Sequence, residues 1–311
     1  MNRSSSPAVE TEPHSLLAGR ALILGAALLW SLGGIFAKAP VFDDWPADSR
    51  GVLLAFWRAL FAGLLLVPLV RRPRWQWSLV PMTLAFTGMN ITYLTAMTLT
   101  TAANAIWLQC TAPVWVFLFS AVWGVDRINR RDLFTLGCAA LGITLILYNE
   151  LQSSPTAGAS FDQSQLGVGL ALTAGIFYAI VVIAMRHLRH EDGAWLVAIC
   201  HLVAAAVMAP AVVWIGHWPS LFQLAVLAAF GLLQMGLPYW LFARGLRHIT
   251  GQEASGLGLI EPVLMPIWVF LTWGEEPAWW TIVGGGLILV GLTLRYAPTR
   301  ATEDPSLPIE V

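Results

Sequence analysis

Charged side chains are scarce in this chain of 311 residues. Asp, Glu, Lys and Arg make up 11% of it, whereas a soluble domain typically carries about 25%. Hydrophobic residues account for 57%, and the formal net charge is only −1. The composition therefore excludes an ordinary soluble domain and predicts a protein of the lipid bilayer. The absence of a basic excess argues against a nucleic-acid partner.

Cysteines and the motifs of common enzymes are also lacking. The three cysteines, Cys110, Cys138 and Cys200, lie inside apolar runs, so neither a disulfide framework nor a zinc site can be inferred from them. There is no GxxxxGK[ST] loop for ATP and no HExxH motif. We therefore expect no cofactor, no metal and no catalytic residue.

Ten apolar runs fill the space between the two polar ends of the chain. A spanning helix needs about 20 residues, and breaks at charged or Pro/Gly-rich segments place helices near 20–38, 51–70, 78–98, 102–123, 132–149, 166–186, 194–214, 222–247, 252–273 and 279–297. The Ser/Pro/Glu-rich start lacks the pattern of a signal peptide. We interpret residues 1–18 as a disordered tail and 298–311 as a second tail.

The basic residues are distributed unevenly between the two sides of the predicted helices. If the N-terminus is cytoplasmic, only Lys38 and Arg50 lie outside. The cytoplasmic segments then hold Arg3, Arg20, Arg71, Arg72, Arg74, Arg127, Arg130, Arg131, Arg186, Arg189, Arg244, Arg247, Arg295 and Arg300. This excess follows the positive-inside rule. We therefore expect a multi-pass protein of the cytoplasmic (inner) membrane with both termini in the cytoplasm.

The chain divides into two similar blocks of five helices, 19–149 and 166–297, joined by an extracytoplasmic linker at 150–165. With an offset of 149 positions, nine of 45 aligned residues are identical, among them Pro113 with Pro262 and Thr101 with Thr250. Because each block has an odd number of helices, the two copies enter the membrane from opposite faces. The sequence thus predicts an all-α polytopic protein built as two inverted-topology repeats, an arrangement typical of secondary transporters.

Several ordered motifs resemble a known family. They are Trp30 with Lys38, Phe56-Trp57-Arg58-Ala59-Leu60 with Pro68, Thr101-Ala102-Ala103-Asn104-Ala105 with Ala112-Pro113-Val114, and Glu261-Pro262-Val263 with Gly274-Glu275. Together they resemble the EamA-type branch of the drug/metabolite transporter superfamily.

The resemblance implies that helices 1–4 and 6–9 surround a central pathway and that helices 5 and 10 lie outside it. It also implies export of small metabolites or amino acids. The loop from Ala39 to Arg50 is longer than usual, and Gly124-Val125-Asp126 replaces the expected Gly-Glu.

Two full charges, Arg58 and Glu261, lie deep in the predicted helices. A central charge costs roughly 2.5–3.5 kcal/mol on insertion scales and usually faces a partner or a water-filled cavity. At 1.5 Å per residue, Arg58 lies about 10 Å and Glu261 about 13 Å from opposite faces of a core roughly 30 Å thick. Their depths overlap, so an interaction, direct or through substrate or water, is possible. The alternatives are that Arg58 snorkels or caps carbonyls and that Glu261 is a hydrogen-bonded structural residue.

Glycines and prolines around Glu261 predict an interrupted helix. Gly256 and Gly258 precede it, and Pro262 and Pro266 follow. Broken helices near the membrane midplane line transport sites. We therefore predict that Glu261 is a substrate-binding and proton-coupling carboxylate.

Further polar and aromatic residues are candidates for the same site. Glu261 superposes on Ala112, whose neighbour at i−3 is Gln109, so Gln109 is expected to face the pathway, while Trp107, Cys110 and Thr111 pack elsewhere. The other predicted substrate-binding residues are Asn90, Tyr93, Gln234, Trp30, Tyr178 and Tyr239. For the polar ones an interhelical hydrogen bond is an equal alternative, and the aromatic ones could simply pack.

The favoured function is a secondary active transporter that moves an amino acid or related amphipathic metabolite by alternating access, with a proton as the candidate coupling ion. The bilayer, the substrate and a monomer or homodimer are the expected partners. An intramembrane enzyme acting on lipid or peptide, or a passive channel, remains as the alternative. Saturable counterflow would separate a carrier from a pore, and product formation would support an enzyme.

Overall fold

The computed structural model describes residues 13–122, 130–152, 161–188 and 190–296. The predicted tails therefore lie largely outside the described residues, as do residues 153–160 of the linker, Gly124-Val125-Asp126, Arg127 and Arg189. Within the described ranges the secondary structure consists of helices joined by short turns.

The first block contains five helices that follow the apolar runs. They are α1 (Pro13–Ser31, continued by Gly33–Ala37), α2 (Arg50–Leu66, continued by a 3-10 turn at Val67–Leu69), α3 (Leu79–Leu99), α4 in two pieces, α4a (Ala102–Gln109) and α4b (Ala112–Val122), and α5 (Arg130–Gln152).

The second block repeats this order. It contains α6 (Phe161–His187), α7 (Gly193–Ile215), α8 (Leu221–Ala229, Phe230–Gly236 and Leu237–Gly245), α9 in two pieces, α9a (Gly251–Gly258) and α9b (Ile260–Trp273), and α10 (Trp279–Tyr296). The predicted fold class is confirmed: the protein is an all-α membrane protein with two repeats of five helices.

Nine of these helices in the described ranges are long and apolar enough to cross a membrane. The tenth, α3, has 21 residues, which suffices in length. Five threonines and Asn90 lower its hydropathy. Helix α3 tolerates these polar residues because it packs between α2, α6 and α7 and buries much of its surface.

One end of the bundle, which we name the terminal end, is held by three separate sets of contacts. Arg20 of α1 pairs with Glu253 of α9a at 2.6 Å, and Arg295 of α10 pairs with Asp132 of α5 at 3.0 Å. Asp192, before α7, accepts hydrogen bonds from the backbone N–H groups of Arg71 and Arg72 in the α2–α3 connection.

The opposite end, which we name the distal end, is held by a different set of side chains. The Lys38 ammonium lies 2.6 Å from a Glu275 carboxylate oxygen and donates to the Thr100 carbonyl at 2.7 Å. The other Glu275 oxygen accepts from the Ala102 N–H at 2.6 Å, and the Asn104 amide donates to Glu150 at 3.0 Å. Successive helices therefore alternate in direction, and the two odd-numbered blocks run in opposite senses.

Helices α5 and α10 pack against each other through glycines. A Cβ on Gly142 would lie 2.4 Å from the Gly284 carbonyl oxygen, and a Cβ on Gly291 would lie 3.0 Å from Cys138 Cβ. Only glycine permits this closeness of two backbones. This pair leaves the other eight helices to form the interior around Glu261.

Candidate functional site

The two broken helices, α4 and α9, form the frame of the site: under the offset of 149 positions α4a and α9a have the same bounds, and α9b begins one residue earlier than α4b. Thr101 caps α4a by accepting from the Asn104 N–H at 3.1 Å, and Thr250 caps α9a by accepting from the Glu253 N–H at 3.2 Å. Both half-helices have eight residues before the chain turns. A Ser or Thr cap of this kind fixes where a helix begins. The break predicted beside Glu261 is therefore present, and α4 carries its counterpart.

Glu261 lies in the first turn of α9b, immediately after the break at Leu259. Its side chain is half-buried, and among the described residues it has no hydrogen bond or ion pair. The free N–H groups of a first helical turn favour a negative charge there. One turn further along α9b, Met265 Sδ lies 3.5 Å from the Tyr93 hydroxyl of α3, so Tyr93 packs against the same half-helix as Glu261. An unpaired carboxylate in these surroundings can bind a cationic group or a proton.

Arg58 does not form a direct ion pair with Glu261. Its side chain is only 1% exposed, and its guanidinium donates to Gln234 Oε1 at 3.1 Å and to Asn90 Oδ1. It also lies over the Phe230 ring, 5.2 Å from the centroid. The predicted interaction is thus a longer-range attraction, and Arg58 neither snorkels nor stands free in the pathway.

Asn90 and Gln234 are both fully used by interhelical contacts. The Asn90 amide donates to the Ala55 carbonyl at 3.1 Å, and the Gln234 amide donates to the Trp30 carbonyl at 3.3 Å. Of the two alternatives left open by the sequence, this structure contains the interhelical hydrogen bonds. The network ties α1, α2, α3 and α8 together around Arg58, so it crosses the boundary between the repeats.

A π-helical segment at Phe230–Gly236 presents Phe230 and Gln234 to Arg58. Pro238 cannot donate to the carbonyl four residues before it, which favours the wider turn. Gly231 and Gly236 let this segment approach α2: a Cβ on Gly231 would lie 2.8 Å from the Arg58 carbonyl oxygen, and one on Gly236 would lie 2.4 Å from the Leu65 side chain. Such segments occur frequently at functional sites.

Two of the predicted aromatic residues are in direct contact. The Trp30 and Tyr239 rings meet edge-on at 5.3 Å, and the Tyr93 hydroxyl lies 3.5 Å from Met265 Sδ. Tyr178 keeps 41% of its surface exposed. The structure therefore brings Trp30 of α1 together with Tyr239 of α8, and Tyr93 of α3 together with α9b, whereas a shared site for all four rings stays a prediction.

The break of α4 falls at the residues considered for the pathway face. Gln109 ends α4a and is half-buried, and Cys110 caps the half-helix and is also half-buried. Helical periodicity does not continue across the break, so the pathway face proposed for Gln109 stays a prediction. Sequence reasoning also missed the role of Phe230 and the contact of Trp107 with α9. The described residues contain no cluster of His, Cys, Asp and Glu able to hold a metal ion.

The profile of the EamA-like transporter family matches residues 17–148 and 165–296, which together are most of the chain and coincide with the two blocks of helices. The chain belongs to the EamA-like transporter family. It is thus a multi-pass membrane transporter, as the motifs implied. A solved crystal structure is similar in fold, with a TM-score of 0.60 and 17% identity over 90% of this chain and 96% of that one.

Other EamA-like relatives include named exporters. The pseudopaline exporter CntI of Pseudomonas aeruginosa is 28% identical, with 76% of this chain and 83% of the relative covered. The threonine/homoserine exporter RhtA of Salmonella typhimurium is 26% identical, with 84% and 82% covered. An uncharacterized transporter of Archaeoglobus fulgidus is 26% identical over 66% of this chain and 70% of its own length.

Proposed function

We propose that this EamA-like protein exports a small amphipathic metabolite with an amino group, such as an amino acid, across the inner membrane by alternating access. The observation that carries the proposal is the half-buried carboxylate of Glu261 at the break of α9, which has no ion pair among the described residues, with Tyr93 against Met265 one turn further along. A substrate ammonium fits this carboxylate, and aromatic ring faces attract cations. The exporter names of CntI and RhtA support the direction, and RhtA supports the substrate class.

Glu261 is also the proposed coupling residue. One carboxylate can hold either a proton or a substrate ammonium, so the two compete and a proton gradient can drive the metabolite outward. Arg58, shielded by Asn90 and Gln234, acts on Glu261 through its charge rather than by touching the substrate. In this proposal Gln109, Tyr93, Tyr178, Tyr239 and Trp30 shape the space around the amphipathic part of the substrate.

The orientation of the protein follows from its arginines. The terminal end carries Arg20, Arg71, Arg72, Arg74 and Arg295, among others, and the positive-inside rule favours this end, with both termini, in the cytoplasm. The distal end, with Lys38 and Glu275, then faces the periplasm. Cysteines introduced at Ser78 (terminal end) and Ser220 (distal end) test this: an impermeant thiol reagent added to intact cells should label only the second.

Counterflow in reconstituted vesicles tests the transport mechanism. Radiolabelled threonine is the first probe, followed by homoserine and other amino acids. We expect saturable counterflow that depends on pH in the natural protein, and loss of the pH dependence in Glu261→Gln. Glu253→Gln is the matched control because Glu253 lies on the same helix but pairs with Arg20 at the exposed terminal end.

Three results would contradict the proposal. Glu261→Gln with unchanged flux and unchanged pH dependence would remove the coupling residue. Non-saturable flux without counterflow would indicate a channel. Release of a cleavage product from lipid or peptide by the purified protein would indicate an enzyme.

A further inference from the structure

Trp107 joins the two repeats at the point where α9 is interrupted. It belongs to α4a, is 6% exposed, and its indole N–H donates to the carbonyl oxygen of Pro262 at 2.9 Å. Pro262 follows Glu261 directly. A side chain of the first repeat thus contacts the backbone of the second repeat next to the carboxylate of the site.

The Pro262 carbonyl needs this donor because of a second proline. In an α-helix the carbonyl of residue i accepts from the N–H of residue i+4, which here is Pro266, and proline has no N–H. Pro262 is buried, and a buried carbonyl without a donor is costly. The Trp107 indole supplies the N–H that Pro266 lacks.

A glycine on α10 makes room for the indole. A Cβ on Gly285 would lie 2.1 Å from the Trp107 ring atoms Cδ2 and Cε3, which no side chain could tolerate without displacement of the ring. Trp107 is therefore enclosed between the Pro262 carbonyl of α9b and the bare backbone of α10. Its position is fixed from two sides.

The corresponding positions of the other repeat carry neither partner. With the offset of 149 residues, Trp107 corresponds to Gly256 and Pro266 corresponds to Phe117. Phe117 has an N–H, so the Pro113 carbonyl has its ordinary donor and needs no tryptophan. The tryptophan donor and the proline that makes it necessary therefore occur as a pair at one of the two equivalent sets of positions, across the interface between the repeats.

We infer that Trp107 is a positioning residue for Glu261, because its indole N–H holds the first turn of α9b through the Pro262 carbonyl. The transport consequence of this inference rests on the proposed function, but the bond itself does not. Without the indole N–H, the first turn of α9b loses its hydrogen bond to the first repeat, and the backbone that carries Glu261 is no longer held in place from that side.

The test pairs Trp107→Phe with Pro266→Ala in the full-length protein. Trp107→Phe removes the N–H but keeps an aromatic ring, whereas Pro266→Ala restores a backbone N–H for the Pro262 carbonyl. We expect Trp107→Phe to lower Tm by at least about 3 °C, and the double variant to recover at least half of that loss. Trp115→Phe is the matched control, since Trp115 donates to Thr111 within the first repeat, at the break of its own helix α4, and Pro266→Ala should not rescue it.

A second measurement reports on Glu261 itself and needs no substrate. The infrared carboxyl band that is lost in Glu261→Gln is followed across pH in vesicles. We expect its midpoint to move in Trp107→Phe and to return towards the natural value in the double variant.

Additive losses of Tm in the double variant, or an unmoved carboxyl midpoint in Trp107→Phe, would overturn the inference and leave Trp107 as a packing residue. Rescue of both Tm and the midpoint, in a protein that transports no amino acid, would uphold the positioning role and reject the proposed substrate class instead.

Discussion

Arg58 illustrates how a single charge is made tolerable inside the bilayer. Its guanidinium has an amide oxygen from α3, an amide oxygen from α8 and an aromatic face around it. Hydrogen bonds to charged groups contribute about 1.5–3 kcal/mol each, which is comparable with the insertion cost of roughly 2.5–3.5 kcal/mol. The sequence located Arg58 as exceptional, but its partners could not be predicted because each lies on a different helix.

Removing either amide should therefore destabilise the protein. We expect Asn90→Leu and Gln234→Leu each to cost about 1.5–3 kcal/mol in unfolding free energy, since each leaves the guanidinium short of an acceptor. The double variant should cost a different amount from the sum, because both side chains share Arg58. Chemical unfolding in detergent measures this. Thr92→Val serves as the control, since its hydroxyl bonds only to carbonyls of its own helix, and equal losses in all variants would contradict the role of the network.

At the scale of the helices, prolines and glycines decided how much could be predicted. The break in α9 was predictable because Gly256, Gly258, Pro262 and Pro266 cluster around Glu261. The break in α4 has only Pro113 as a signal, and its place, after Gln109, could not be predicted from the sequence. The π-helical segment of α8 could not be predicted, because a widening of the helical turn over only seven residues leaves no recognisable pattern within a run of apolar residues.

Helix α7 begins at a cap that also holds a neighbouring connection. Asp192 accepts from the N–H of Ala194 in its own helix at 2.9 Å and from Arg71 and Arg72 across the terminal end. Burial acts to raise the pKa of the carboxyl, but the backbone N–H donors outweigh it and lower the pKa below its usual value. The folded protein therefore stabilises the ionised form of the Asp192 carboxyl.

The pH dependence of stability follows from this sign. The folded-state pKa of Asp192 lies below its unfolded value, which is near 4. The contribution of Asp192 to the unfolding free energy is therefore complete above about pH 4 and is lost as the pH falls through the folded-state pKa. We expect Asp192→Ala to cost about 1–2 kcal/mol at pH 7, as for the loss of a helix cap, and much less at pH 3. Unfolding at both pH values measures it, with the exposed loop residue Asp48→Ala as control; an equal cost at the two pH values would refute the assignment.

At the scale of the whole molecule, the inverted repeat was the most informative feature of the sequence. Identities at Thr101/Thr250 and Pro113/Pro262 correspond to equal caps and equal breaks in the structure. What the repeat could not reveal is where the copies differ, because a difference is specified by side chains that meet only after folding. The hydrogen bonds from Trp107 to the Pro262 carbonyl and from Arg58 to Gln234 are two such contacts, and the first lies at the residue that follows Glu261.

The distal end supplies the last prediction, which concerns access to the interior. Lys38 and Glu275 are about four-fifths buried, with side chains 19% and 17% exposed, and they join α1, the α3–α4 turn and the end of α9. Cys110, half-buried at the break of α4, is a natural reporter once Cys138 and Cys200 are replaced by serine. We expect an impermeant maleimide applied from the distal side to label Cys110 slowly, and Lys38→Gln to raise that rate several-fold because the ion pair no longer holds the end closed.

Two further variants distinguish the loss of the Lys38–Glu275 ion pair from a general destabilisation of the distal end. Arg50→Gln, at the same end, removes only a pair with Asp43 of the adjoining loop and should leave the labelling rate unchanged. Lys38→Glu with Glu275→Lys restores opposite charges and should return the rate towards that of the natural protein. If Lys38→Gln labels no faster than Arg50→Gln, the ion pair does not control access. If Cys110 is not labelled from either side in any variant, the open space beside Glu261 does not exist, and a carrier built around that carboxylate is ruled out.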